Sequence, residues 1–194
     1  MQKLATSDLM SLEQYARERQ QIRERMIEYR RRRRLELGPH CTWSFEDRET
    51  VRYQVQEMLR AEKLFEAAGI EEELAAYNPL IPDGRNLKAT LLIEYPDRDE
   101  RTERLKAMRG IERRCWLRVA GQPQVFAIAD EDLERETEEK TSAVHFLRFE
   151  FTATMIESLR GGAHLAAGID HPAYPQTLEP VPAELLQSLL ADLR

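Results

Sequence analysis

Cysteine is scarce in this chain, and so are the signatures that announce a chemistry. Only Cys41 and Cys115 occur, far apart and without the Cys-x-x-Cys or His-Cys spacing that zinc sites use. This excludes a disulfide-built scaffold. Both are read as reduced thiols, since a bridge between them would be unusual in the cytosol. There is no phosphate-binding glycine loop, no Gly-x-Ser-x-Gly elbow, no His-Glu-x-x-His pair and no dinucleotide fingerprint. With no strong catalytic motif, the reading leans away from an enzyme. No apolar run approaches membrane-spanning length. Residues 1–20 carry Lys3, Asp8, Glu13, Arg17, Glu18 and Arg19 where a secretory signal would be uninterruptedly apolar. The expected location is cytoplasmic, with no membrane partner. Positive charge is also in deficit: 29 Lys and Arg against 35 Asp and Glu leave a net charge of −6. No nucleic-acid partner is expected from that balance.

What is present is a globular composition, 42% hydrophobic and 33% charged over 194 residues, sized for a single domain spanning 1–194. Residues 1–80 read as mainly helical. Ser7 or Asp8 caps a long amphipathic helix carrying Leu9, Leu12, Ala16, Ile22, Met26 and Tyr29, which Gly38-Pro39 stops. The piece 40–46 alternates Cys41, Trp43 and Phe45 with polar residues and is placed at the edge of a sheet. Helices follow over about 47–68, closed by Gly69, and about 70–77.

Residues 85–194 read as sheet-based, with strands at 89–95, 115–120, 125–129, 142–151 and 163–169. A charged helix starts at Asp97 or Asp99 and another at Thr152 or Thr154. The order is β-α-β-β-β-α-β. Gly121-Gln122-Pro123 suits a hairpin, which favours an antiparallel or mixed sheet. The expected fold class is α+β: a ferredoxin-like split βαβ arrangement with an added strand and the helical half packed on it. The passage 171–182 is read as a loop. Pro182 then opens a C-terminal helix bearing Leu185, Leu186, Leu189, Leu190 and Leu193.

The segment 142–151 holds the most telling pattern. Alternation puts His145, Leu147, Phe149 and Phe151 on one face and Val144, Phe146, Arg148 and Glu150 on the other. Each face combines aromatic bulk with an ionisable group that must be paired, placed at an opening or used chemically. Arg148, with His145 and Glu150, is read as lining a polar cleft closed by the loop carrying Asp170, His171 and Tyr174. The competing view is that Asp170 only bonds turn amides and that His145 is a satisfied core residue. On the second helix Glu57 and Glu62 fall within apolar stripes, as metal-binding glutamates do in helix bundles. A structural fork from Arg19 satisfies the same carboxylates without a metal. Glu57, Glu62, His145, Glu150 and His171 are thus the candidate ligands for an iron, manganese or zinc ion. The run Arg30 to Arg34 reads as a solvated helix end.

At Gly38-Pro39-His40, Phe45-Glu46-Asp47-Arg48, the stretch Tyr53 to Glu62, Glu139 to Ser142, Val144 to Phe149 and Gly168 to Tyr174, the chain resembles an uncharacterised bacterial family classed only as a domain of unknown function. The likeness covers nearly the whole chain. Members of that family look to be encoded often near rubrerythrin-like and iron-sulfur, heterodisulfide-reductase-like proteins, so the resemblance implies a redox- or iron-related accessory role. It supplies no assigned activity or catalytic residues. The expectation is a cytosolic accessory or interaction protein, self-associating or partner-bound. The alternative is a metal-binding, redox-related protein using carboxylate and histidine ligands.

Overall fold

The computed structural model describes residues 2–131, 135, 137 and 139–194. Ser11 caps α1 (Leu12–Arg31), its hydroxyl accepting from Gln14 N at 3.2 Å. The helix stops well before Gly38 because the chain turns into a strand, β1 (Arg34–Leu37), whose Leu35 and Leu37 are buried. Gly38, at φ +70°, makes the turn into β2 (Cys41–Glu46). A Cβ there would stand 2.7 Å from the Tyr174 hydroxyl, so this position requires glycine. β2 is an interior strand, paired on both sides, and not the edge expected from its alternation. Asp47 caps α2 (Arg48–Glu62), accepting from the amides of Glu49 and Thr50. Lys63, at φ 56°, ends that helix earlier than expected. Next come α3 (Ala67–Tyr77) and a 3-10 turn at Asn78–Leu80.

The remaining elements are β3 (Asn86–Ile93), α4 (Arg98–Ala107), β4 (Cys115–Val119), β5 (Gln124–Phe126), β6 (Ile128–Ala129), β7 (Val144–Glu150), α5 (Ala153–Arg160), β8 (Leu165–Ile169), β9 (Gln176–Leu178) and α6 (Ala183–Leu190). Asp97 and Thr152 cap α4 and α5 as the sequence implies. The α+β class and the C-terminal helix stand. The single split βαβ sheet does not: among the described residues the strands form two sheets, β1-β2-β3-β7-β6 and β5-β4-β8-β9, and every pairing is antiparallel. The strands flanking α4 belong to different sheets, as do those flanking α5, so these helices link sheets instead of crossing over one. The expected strand 125–129 is divided between them. Val125 pairs with Leu117 in one sheet, and Ala129 pairs with Leu147 in the other. β9 falls in the passage read as a loop.

One large core joins the two sheets. Trp43, Phe45, Leu91 and Phe149 from the five-stranded sheet share it with Leu117, Val119, Leu165 and Ile169 from the four-stranded one. Leu185, Leu189 and Leu193 of the C-terminal segment complete it, so the leucines of α6 are covered within the chain. A separate small core of Leu4, Val51, Val55, Leu59, Leu74 and Ile81 holds α2 and α3 together. Among the described residues no helix is long and apolar enough to cross a membrane.

Candidate functional site

β7 carries ionisable groups on both faces, and its antiparallel register fixes where each points. On the inner face His145 is fully buried. Its Nδ1 lies 2.6 Å from Asp130 Oδ2, and its Nε2 lies 2.9 Å from Thr141 Oγ1 and 3.0 Å from the Ser142 carbonyl. An ionised carboxylate only accepts, so Nδ1 donates to Asp130. Asp130 also accepts from Phe146 N at 2.9 Å and lies 3.3 Å from Arg135 Nε. It adopts φ 51°, the left-handed region, which sequence pattern does not announce. The Asp130–His145–Thr141 chain of contacts has the connectivity of a nucleophile triad. Thr141 is only 1% exposed, however, so no substrate reaches the hydroxyl.

The outer face borders a cavity of about 360 Å³ beneath α3 and the 3-10 turn. Glu46, Lys88 and Arg148 line it in register, Glu46 opposite Lys88 and Lys88 opposite Arg148. Glu46 is almost fully buried and accepts from the Thr50 and Thr90 hydroxyls at 2.6 and 2.9 Å. The Lys88 ammonium donates to the Pro79 carbonyl, and burial, reinforced by the charge of Arg148, holds its pKa below the ordinary lysine value. Arg148 forks onto Glu131, with Nε and Nη2 each 2.7 Å from a carboxylate oxygen, and also pairs with Glu150. That fork keeps Glu131 below the usual carboxylate range. Glu150 accepts from Asn86 Nδ2 at 2.9 Å. Tyr77, Leu80, Ile128 and Phe146 supply apolar wall, and the Arg135 guanidinium lies 4.6 Å over the Phe146 ring. Across the cavity Glu73 Oε2 is enclosed without a hydrogen-bond partner among the described residues, and burial raises that carboxyl's pKa, with Glu62 and Glu72 adding to the effect.

The other candidates are scattered. Glu57 accepts from the Tyr15 hydroxyl at 2.6 Å and from Arg19 at 2.8 and 2.7 Å, the fork the sequence offered as its alternative. Arg19 is the main reason the Glu57 carboxyl is held below its usual range. Glu62 is exposed at the end of α2, because the buried stripe there runs Val51, Val55 and Leu59. His171 donates from Nε2 to the Arg109 carbonyl at 2.9 Å and accepts from Ala173 N at 3.2 Å, so it organises its own turn. Tyr174 donates to the Leu37 carbonyl and accepts from His40 N, both at 2.9 Å. Asp170 is exposed. The loop bearing these three residues is thus fastened to the β1–β2 turn and the end of α4, and it does not close over Arg148. Among the described residues no three His, Cys, Asp or Glu side chains converge as a metal ion requires. Cys41 and Cys115 are free and buried; burial pushes the Cys41 thiol up to about 12 and raises that of Cys115 as well.

Arg33 departs most from its sequence reading. Instead of ending a solvated helix it is 1% exposed, donating to the Phe45, Glu46 and Ser188 carbonyls and pairing with Asp192, with Asp47 3.4 Å away. A second, open groove of about 250 Å³ runs between α1 and α2, lined by Tyr15, Ile22, Met26, Tyr29 and Tyr53 with Arg25, Glu49 and Arg52.

A family model described as "Protein of unknown function (DUF3501)" matches residues 3–193. The chain belongs to that family. It is also similar to a crystal structure at 1.90 Å of a "novel protein of unknown function" from Burkholderia pseudomallei K96243, at 49% identity, a TM-score of 0.95 and full coverage of both chains. No curated protein matches.

Proposed function

We propose that this is an accessory protein that works by binding and not by catalysis, and that α1 and α2 form its docking face for a partner protein. One observation carries the reading: of the twenty residues of α1 only Tyr15 is buried, while Ile22, Met26 and Tyr29 border an open groove. A helix of that length left on the surface with apolar residues along a concave strip is the form of a helix-in-groove or helix-pairing contact. Both charge signs rim the strip, Arg25 and Arg52 together with Asp8 and Glu49, which suits a partner segment of mixed charge. The proposed place of work is the cytosol, beside redox proteins. That second part rests on the expectation, carried by the resemblance alone, that members of the family are often encoded near rubrerythrin-like and iron-sulfur proteins.

Sedimentation velocity tests it, with the pure protein alone and mixed with a purified rubrerythrin-like protein at micromolar concentration. A co-sedimenting complex that Met26→Glu abolishes is the expected result. Complex formation unchanged by Met26→Glu overturns the docking face. A chain that stays monomeric and unbound in both mixtures overturns the reading itself.

A further inference from the structure

The groove under α3 contains an arrangement that folding alone does not favour. Lys88 and Arg148 are direct cross-strand partners on the same face, and like charges so placed are destabilising. The carboxylate on the other side of Lys88, Glu46, is engaged by two threonine hydroxyls. Arg148 pairs with Glu150 on its own strand and is further neutralised from a loop, where Glu131 presents both oxygens to its fork in the geometry of a bound carboxylate. The Glu131 side chain is 52% exposed, so this is a surface pair of small net worth, which an external carboxylate can replace. Beside the two cations stand the aromatic rings of Tyr77 and Phe146, and opposite them stands a Glu73 oxygen with no hydrogen-bond partner among the described residues. The volume, about 360 Å³, lies in the range of small-molecule sites.

We propose that this groove binds a small organic carboxylate with an aromatic or apolar body, its carboxylate seated between Lys88 and Arg148 in place of Glu131 and a hydrogen-bond donor on its body meeting Glu73. In the free protein Glu131 acts as the internal stand-in for the ligand. The proposal is independent of the α1–α2 docking face, which shares none of these residues.

Calorimetric titration with benzoate and para-hydroxybenzoate tests it, with inorganic phosphate as the charge control. The expected result is saturable binding of para-hydroxybenzoate, tighter than benzoate, with phosphate silent. Glu131→Gln removes the internal competitor and tightens binding several-fold. Lys88→Met weakens it about tenfold, and Glu73→Ala erases the preference for the hydroxylated ligand. A merely structural role for Glu131 would not produce tighter binding on its removal. The proposal is overturned by no saturable binding of either carboxylate up to about 10 mM in the Glu131→Gln protein. Equal binding of phosphate, or affinity unchanged in Lys88→Met, overturns it too.

Discussion

On the inner face of β7 His145 has no exposed surface and both ring nitrogens are engaged, whereas three residues along, on the outer face, Arg148 keeps 24% of its side chain in solvent and is held by a loop carboxylate. Both groups sit on one strand, yet the inner one is sealed and the outer one is open to solvent. Burial makes the difference. A sealed polar group that loses its partner bears the full desolvation penalty, while an open one turns to water or to a ligand. The inner cluster therefore belongs to the fold, and the outer cluster is the one we propose for binding.

The largest effects are expected where a charge is sealed. Arg33→Met leaves Asp47 and Asp192 without their guanidinium and takes one donor from each of three carbonyls, and should cost about 3 to 5 kcal/mol. Asp130→Ala, which strips His145 and the Phe146 amide of one acceptor, should approach that range, whereas Arg148→Ala should cost no more than about 1 kcal/mol. Urea midpoints at neutral pH measure all three. Equal losses for Asp130→Ala and Arg148→Ala would break the contrast between the faces.

Acid titration sharpens the same contrast. Burial, aided by the like charge of Asp47, outweighs Arg33 and raises the Asp192 carboxyl from 3.8 to about 6. A carboxyl whose folded pKa lies above its unfolded one contributes stability that is fully present below 3.8 and is lost as pH rises through about 6. The stability of wild type relative to Asp192→Asn should therefore fall between those two values. A difference that stays flat across that window would show that the carboxyl is not held up by burial. Glu57, half-buried, shifts the other way, and its contribution is lost as pH falls below the unfolded value of 4.5. Glu57→Ala should cost about 1 to 2 kcal/mol, since the buried Tyr15 hydroxyl loses its acceptor, and Glu62→Gln should leave the midpoint unmoved. If Glu62→Gln matched Glu57→Ala, the exposed end of α2 would have to be reassigned.

The features legible in the sequence were those set within a few residues. The caps Asp97 and Thr152 act locally, and alternation in 142–151 sorted His145 from Arg148 correctly, whereas α1 is capped at Ser11 and not at Ser7 or Asp8, and Gly38 turns β1 into β2 instead of stopping that helix. Strand partnership is not local. Val125 and Ala129 look like one strand because nothing in five residues tells which sheet each will join. The Arg30 to Arg34 run hid Arg33, although a period of two through Arg33, Leu35 and Leu37 was available once a strand, and not a helix, was considered there. The groove escaped notice because Glu46, Lys88 and Glu131 come from three distant segments, and only the register of β2, β3 and β7 assembles them with Arg148.

A small stability effect is also expected at Lys88, and it bears most directly on function. Lys88→Met removes a cation that burial and Arg148 both disfavour, and gives up a hydrogen bond to the Pro79 carbonyl at the mouth of an open groove, where water replaces it. These contributions oppose one another, so at neutral pH the midpoint should move by less than about 0.5 kcal/mol in either direction. Alkaline titration then separates them. The folded pKa of Lys88 lies below its unfolded value of 10.5, so the unfolded chain binds more protons in the window beneath 10.5, and wild type should gain stability relative to Lys88→Met as pH rises toward that value. Tyrosines titrate in both proteins and cancel in the difference. A wild-type advantage that shrinks with rising pH would mean that the ammonium is stabilised in the fold. Lys88 would then be a structural cation, and not one kept against the preference of the fold for a ligand.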